Sequence, residues 1–156
     1  MDKNNFMRAA AALAEKNVAD GTGGPFGAVI VRDGEIIGEG TNQVTRSNDP
    51  TAHAEVVAIR QACEKLGTFN LAGCEIYTSC EPCPMCLSAI YWARLDRIYF
   101  GNTKADAAAI DFDDNFLYTE IPKPIEGRAI PTEQMLREET IKSFDAWAVS
   151  ETKIPY

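Results

Sequence analysis

Histidine is nearly absent from this sequence: His53 is the only one. A site built from two or three histidines therefore cannot form within one chain, and any histidine-based catalytic group must use this residue. Basic residues are also in deficit, 15 against 23 acidic ones, for a formal net charge of −8. Such a surface repels phosphate backbones, which disfavours nucleic acids and anionic membranes as partners. No apolar run approaches the ~20 residues needed to cross a bilayer. The N-terminus carries Asp2 and Lys3 and lacks the apolar stretch of a signal peptide. There is no internal repeat and no low-complexity segment. Cysteine is present, but its count of five is odd and its spacing clustered. That pattern points to reduced thiols in a cytoplasmic protein, used as ligands or core residues and not as a disulfide framework. What remains suits one globular domain: 156 residues, 46% hydrophobic and 24% charged.

Phe6, Ala9, Ala10, Leu13, Ala14 and Val18 recur at helical spacing, and Asp20-Gly21 ends that helix. A glycine-rich loop, 21–27, leads into two β-rich runs, 28–32 and 35–40, joined by the hairpin dipeptide Asp33-Gly34. Residues 52–66 read as an amphipathic helix with Val56, Val57, Ile59, Ala62 and Leu66 inward. Residues 74–78 form a short strand, Pro84 opens a helix to about Ala93, and 97–100 is another strand. A strand and helix are expected to recur, giving β–α–β–α–β after the hairpin. That order implies an α/β layered sheet, mostly parallel with one antiparallel strand. Beyond Gly101 the pattern weakens. Residues 105–122 hold five acids and no base, interleaved with Phe112, Phe116, Leu117 and Tyr118, which reads as an ordered loop with a short helix. Residues 132–152 contain at least one more helix, with Met135, Leu136, Phe144 and Trp147 as expected packing residues.

Two fragments carry chemistry. One is Pro50-Thr51-Ala52-His53-Ala54-Glu55, at a helix start; the other is Thr78-Ser79-Cys80-Glu81-Pro82-Cys83-Pro84-Met85-Cys86, at a strand-to-helix turn. Cys83 and Cys86 are three apart, so both sulfurs face one way on a helix. A helix N-terminus also favours the thiolate that metals need. With His53 they make three ligands suited to tetrahedral Zn2+. His53 and Glu55 are two apart, about 200° on an ideal helix, poor spacing for two ligands of one ion. Glu55 is therefore better read as a partner of what the metal binds: a proton shuttle beside a water whose pKa zinc lowers to around 7. Other readings compete. Cys83-Pro84-Met85-Cys86 alone equally fits a thiol redox pair, His53 alone an ordinary hydrogen-bonded histidine, and Cys80 could be a fourth ligand closing a structural site. Cys63 and Cys74 read as core.

The joint pattern resembles the zinc-dependent nucleobase deaminase signature, H-x-E followed by P-C-x-x-C. The resemblance implies a cytidine-deaminase-like three-layer α/β/α sandwich around a five-stranded mixed sheet. It implies His53, Cys83 and Cys86 as ligands of one Zn2+ per subunit, Glu55 as the proton shuttle and Cys80 as a non-ligand. Among family members, residues 102–156 bear on the substrate: eleven acids and six bases, a net of −5, where an enzyme acting on tRNA should gain positive charge. Further segments are similar to the bacterial guanine deaminases: 23–28, Asn42, 47–55, 90–94, Phe112-Asp113-Asp114 and Tyr156. That likeness implies a small purine substrate, hydrolysed to xanthine and ammonia. Asn42 would contact the purine, Phe26 and Trp92 would wall it, and Asp114 would read its N–H edge and assist proton movement. It further implies a homodimer that exchanges a C-terminal arm, 127–156, so that Tyr156 closes the partner's pocket. The alternatives carried forward are a tRNA adenosine or other nucleobase deaminase, and a zinc-stabilised binding or redox domain without turnover.

Overall fold

The structure, a computed structural model, describes residues 2–156. The chain divides into two compact units, one ending at Asp114 and one spanning Asn115–Tyr156. In the first, α1 (Lys3–Ala19) precedes a hairpin of β1 (Gly27–Arg32) and β2 (Glu35–Thr41). The hairpin turns on Asp33 and Gly34, both with positive φ (50° and 80°), the backbone that a two-residue turn of this twist requires. A short α2 (Val44–Ser47) leads to α3 (Ala54–Leu66), β3 (Cys74–Cys80), α4 (Pro84–Trp92) and β4 (Arg97–Asn102). The unit closes with α5 (Lys104–Ala108).

The sheet has four strands in the order β2-β1-β3-β4. Strand β1 runs antiparallel to both neighbours, and β3 pairs with β4 in parallel. One strand of the four is therefore reversed, as the element order implies, but it lies inside the sheet, so two of the three pairings are antiparallel and the sheet is mixed instead of mostly parallel. The fifth strand is not formed among the described residues. Its place in the chain is taken by α5, because Thr103 and Asp106 make a reciprocal capping box directly after β4 and the run that follows is alanine-rich.

Alternation along β1 builds two cores. Ala28 and Ile30 pack with Ala54, Ala58 and Ala62 of α3 and with Ile90 of α4. Val29 and Val31, on the other face, pack with Phe6 of α1 and with Tyr77. Helices thus flank the sheet on both faces. The inward stripe of α3 differs from the expected one: alanines, not Val56 and Val57, reach full burial. Close approach explains this. A Cβ on Gly40 of β2 would lie 2.0 Å from the Ala54 carbonyl oxygen, so α3 sits against the strand where only small residues fit.

The second unit holds α6 (Asn115–Glu120), a 3₁₀ turn (Ile125–Gly127) and α7 (Arg137–Val149). None of its residues is buried. Met135, Leu136, Phe144 and Trp147, expected to pack, are exposed, Phe144 at 73%. A single 13-residue helix has no second layer in its own unit to cover an apolar face. Among the described residues no helix is long and apolar enough to cross a membrane.

Candidate active site

The helix starts create the site. His53 is the N-cap of α3, with extended backbone (φ −69°, ψ 156°), so helical geometry begins at Ala54 and not at residue 52. The 200° separation expected for His53 and Glu55 therefore does not apply. Cys83 is likewise the N-cap of α4, with Pro84 at the first helical position and Cys86 in the first turn. Both helices direct their N-terminal ends at one locus, where aligned N–H dipoles stabilise negative charge.

His53 Nδ1 lies 3.6 Å from Cys83 Sγ and 3.5 Å from Cys86 Sγ. All three ligand atoms fall within 4.8 Å of one another. Tetrahedral zinc, with Zn–N near 2.0 Å and Zn–S near 2.3 Å, needs nitrogen and sulfur about 3.5 Å apart. The donor set fits that ion in chemistry and spacing. A hydrogen bond from Cys86 and the neighbouring His53 hold the Cys83 thiol down to about 4 against the opposing effect of burial. The same contact with Cys83 raises His53, and proton sharing with Cys83 together with burial raises Cys86. Cys80 stands apart. Burial pushes it up to about 11, and its Sγ faces the Thr103 carbonyl at 3.7 Å.

Glu55, in the first turn of α3, is 7% exposed, and burial lifts its carboxyl above the usual range. Thr78 Oγ1 of β3 donates to Glu55 Oε1 at 3.2 Å. Thr78 was not legible as a site residue from motif spacing. Alternation could have found it: Cys74, Ile76 and Thr78 share one strand face, and the first two are apolar core. Ser79, on the opposite face, accepts from the Gly27 N–H at 3.0 Å and pins the end of the glycine-rich loop.

The other sequence-derived residues divide. Phe26 meets Phe112 edge to face at 5.0 Å, which ties the glycine-rich loop to the segment that carries Asp114. Asp114 is half-buried and raised by desolvation, and it feels the charges of both Cys83 and Lys104. Asn42 is 8% exposed, and its Oδ1 accepts from the Val44 N–H at 3.2 Å, leaving the amide N–H₂ as its donor end. Trp92 is not gathered into this cluster. It sits at the far end of α4, six residues past Cys86, 62% exposed beside Leu87, Ser88, Tyr91 and Arg94. Tyr156 is exposed and belongs to the second unit.

Residues 1–102 match the family model for the cytidine and deoxycytidylate deaminase zinc-binding region. The chain is 56% identical over 147 residues to the guanine deaminase of Bacillus subtilis, spanning 94% of each protein. Compared with the X-ray structure of guanine deaminase from Bacillus subtilis, it gives a TM-score of 0.97 at 54% identity, over 100% of this chain and 99% of that one. A tRNA-specific adenosine deaminase of Aquifex aeolicus is 43% identical over 100 residues, covering 64% of this chain and 66% of that protein.

Proposed function

The chain belongs to the cytidine and deoxycytidylate deaminase zinc-binding family, and we propose that it converts guanine and water to xanthine and ammonia. The observation that carries this reading is a three-ligand metal cluster with a buried carboxylate beside it, in a chain 56% identical to a guanine deaminase along 94% of its length. His53, Cys83 and Cys86 would hold Zn2+, one per subunit. When bound, zinc acts as a Lewis acid that makes water nucleophilic at neutral pH. Glu55 takes one proton of the water that attacks C2 and delivers it to the adjacent ring nitrogen, then carries the remaining proton from the new C2 hydroxyl to the amine, so that the C2–N bond breaks, ammonia leaves and the C2 carbonyl forms. Thr78 holds one carboxylate oxygen, so the other is the one that moves the proton.

Recognition falls to Asn42, Phe26 and Asp114, Trp92 lying too far along α4 to wall the same pocket. Asn42 offers its N–H₂ to a purine acceptor, Phe26 supplies an apolar wall, and Asp114 accepts from the N1–H and 2-amino group of guanine and assists proton movement. A half-buried carboxylate left unpaired penalises bases without those donors. Exposed Ile130, Met135, Phe144 and Val149 support a homodimer in which 127–156 is the exchanged arm and Tyr156 closes the partner's pocket. The five free thiols support a cytoplasmic setting, where they stay reduced. The net charge of −5 over 102–156 counts against a tRNA substrate.

Glu55→Ala tests the chemistry. The variant is expected to bind one zinc per chain and to lose guanine turnover by at least ~10²-fold. Normal kcat in that variant would remove Glu55 from the mechanism.

A further inference from the structure

Asn17 is a buried polar residue that the chemistry above leaves unused. It lies in the last turn of α1, 3% exposed, in the layer opposite the helices that carry the metal ligands. Its carboxamide is engaged at both ends. Nδ2 donates to the Gly24 carbonyl at 2.8 Å and to the Asn42 carbonyl at 3.0 Å, and Oδ1 accepts from Thr22 Oγ1 at 2.7 Å. These contacts join the two segments that carry candidate pocket residues. The Phe26 N–H donates to the same Gly24 carbonyl at 2.9 Å, and the Asn42 N–H donates to the Phe26 carbonyl at 3.2 Å. Gly23 completes the knot: a Cβ there would lie 2.2 Å from the Asn42 oxygen and 2.8 Å from Asn17 Nδ2. Nothing larger than hydrogen fits between clamp and strand end.

An asparagine inside a helix is a mediocre helix former, and its amide is costly to bury unless every donor is matched. Here each donor is matched, and the partners are backbone atoms of the purine-facing segments and not of α1 itself. We propose that Asn17 is a positioning residue for substrate binding: one carboxamide sets the register of Phe26 against Asn42. The inference rests on the guanine pocket proposed above. Asn17 acts at a distance, on affinity for the base, and leaves the metal cluster and Glu55 as they are.

The test compares zinc-loaded wild type, Asn17→Ala, Thr22→Val and Phe6→Leu. Phe6 is buried in the same helix layer and makes none of these contacts, so its variant reports destabilisation alone. Asn17→Ala is expected to raise KM for guanine about 10-fold, with kcat within about 3-fold and one zinc retained. Phe6→Leu should lower Tm and leave KM unchanged. Hydrogen exchange at the Phe26 and Asn42 amides is read in parallel and should accelerate in Asn17→Ala relative to residues 74–80. Thr22→Val removes one bond of the clamp and gives the same pattern in weaker form if Asn17→Ala does not fold. Unchanged KM, or unchanged exchange at both amides, overturns the inference. A wild type that does not act on guanine overturns the functional reading instead, and the exchange data then decide the positioning role by themselves.

Discussion

At the scale of single residues, the site depends on which polar atoms are held and by what. Thr78 and Glu55 form a buried pair joined by one 3.2 Å hydrogen bond. Thr78→Val keeps the shape and removes the hydroxyl, so kcat should fall by about 10-fold or more, with KM and zinc content unchanged. Thr78→Ser restores the hydroxyl and should recover most of the rate; equal losses in both variants would make Thr78 a packing residue only. Cys80 gives the opposite expectation. It is buried, raised to about 11 and directed at the Thr103 carbonyl, which is the behaviour of a neutral thiol. Cys80→Ser should retain one zinc per chain and near-normal turnover, and metal loss in that variant would revive the closed structural site.

At the scale of elements, the site is a consequence of how closely α3 lies on β2. An added methyl at Gly40 would have to push Ala54 away, and His53 is its immediate neighbour. Gly40→Ala is expected to cost about 1–3 kcal/mol of stability and to weaken zinc binding about 10-fold in a chelator competition. Gly127→Ala, where the new Cβ meets only Pro124 at 3.7 Å, should change neither. A Gly40→Ala protein with native zinc affinity would show that the close approach does not position His53. This packing also marks what the amino-acid sequence makes legible. The metal ligands could be read directly, because H-x-E and P-C-x-x-C state ligand type and spacing in local order. The hairpin could be read from Asp33-Gly34, and α1 from its periodicity. The depth of Ala54, Ala58 and Ala62 could not, since alanine becomes the inward residue only once a glycine-bearing strand faces it. Nor could the partners of Thr78 and Asn17: alternation points Thr78 inward, but Glu55 lies 23 residues away, and Asn42 lies 25 from Asn17, so both pairs become neighbours only through the fold. Trp92 shows the converse: a motif-derived wall residue whose place at the far end of α4 follows from helical rise, about 9 Å beyond Cys86.

At the scale of the whole molecule, the segment after Asp114 sets the expectation of a dimer. It carries Phe116, Ile130, Phe144, Val149 and Tyr156 exposed, apolar side chains that a second copy of the chain would cover in the proposed arm exchange. Sedimentation should give a dimer. Deleting residues 154–156 should raise KM for guanine about 10-fold with zinc retained if Tyr156 closes the partner's pocket as proposed, since that role concerns substrate and not metal. Mixing that truncated chain with the Glu55→Ala chain and allowing subunits to exchange should return the truncated chain's KM toward the native value, because the intact tail of one completes the pocket that holds the intact shuttle of the other. A KM that stays high, despite mixed dimers forming, would place the arm on its own subunit.

Product release by the zinc-loaded protein from a panel of guanine, guanosine, adenine, cytosine and tRNA tests the proposed chemistry most directly. Equal amounts of xanthine and ammonia are expected from guanine, with both lost when zinc is removed and regained when it is restored. Ammonia from tRNA alone would contradict the substrate, and no ammonia from any member of the panel, with thiol–disulfide reductase activity in its place, would contradict the chemistry.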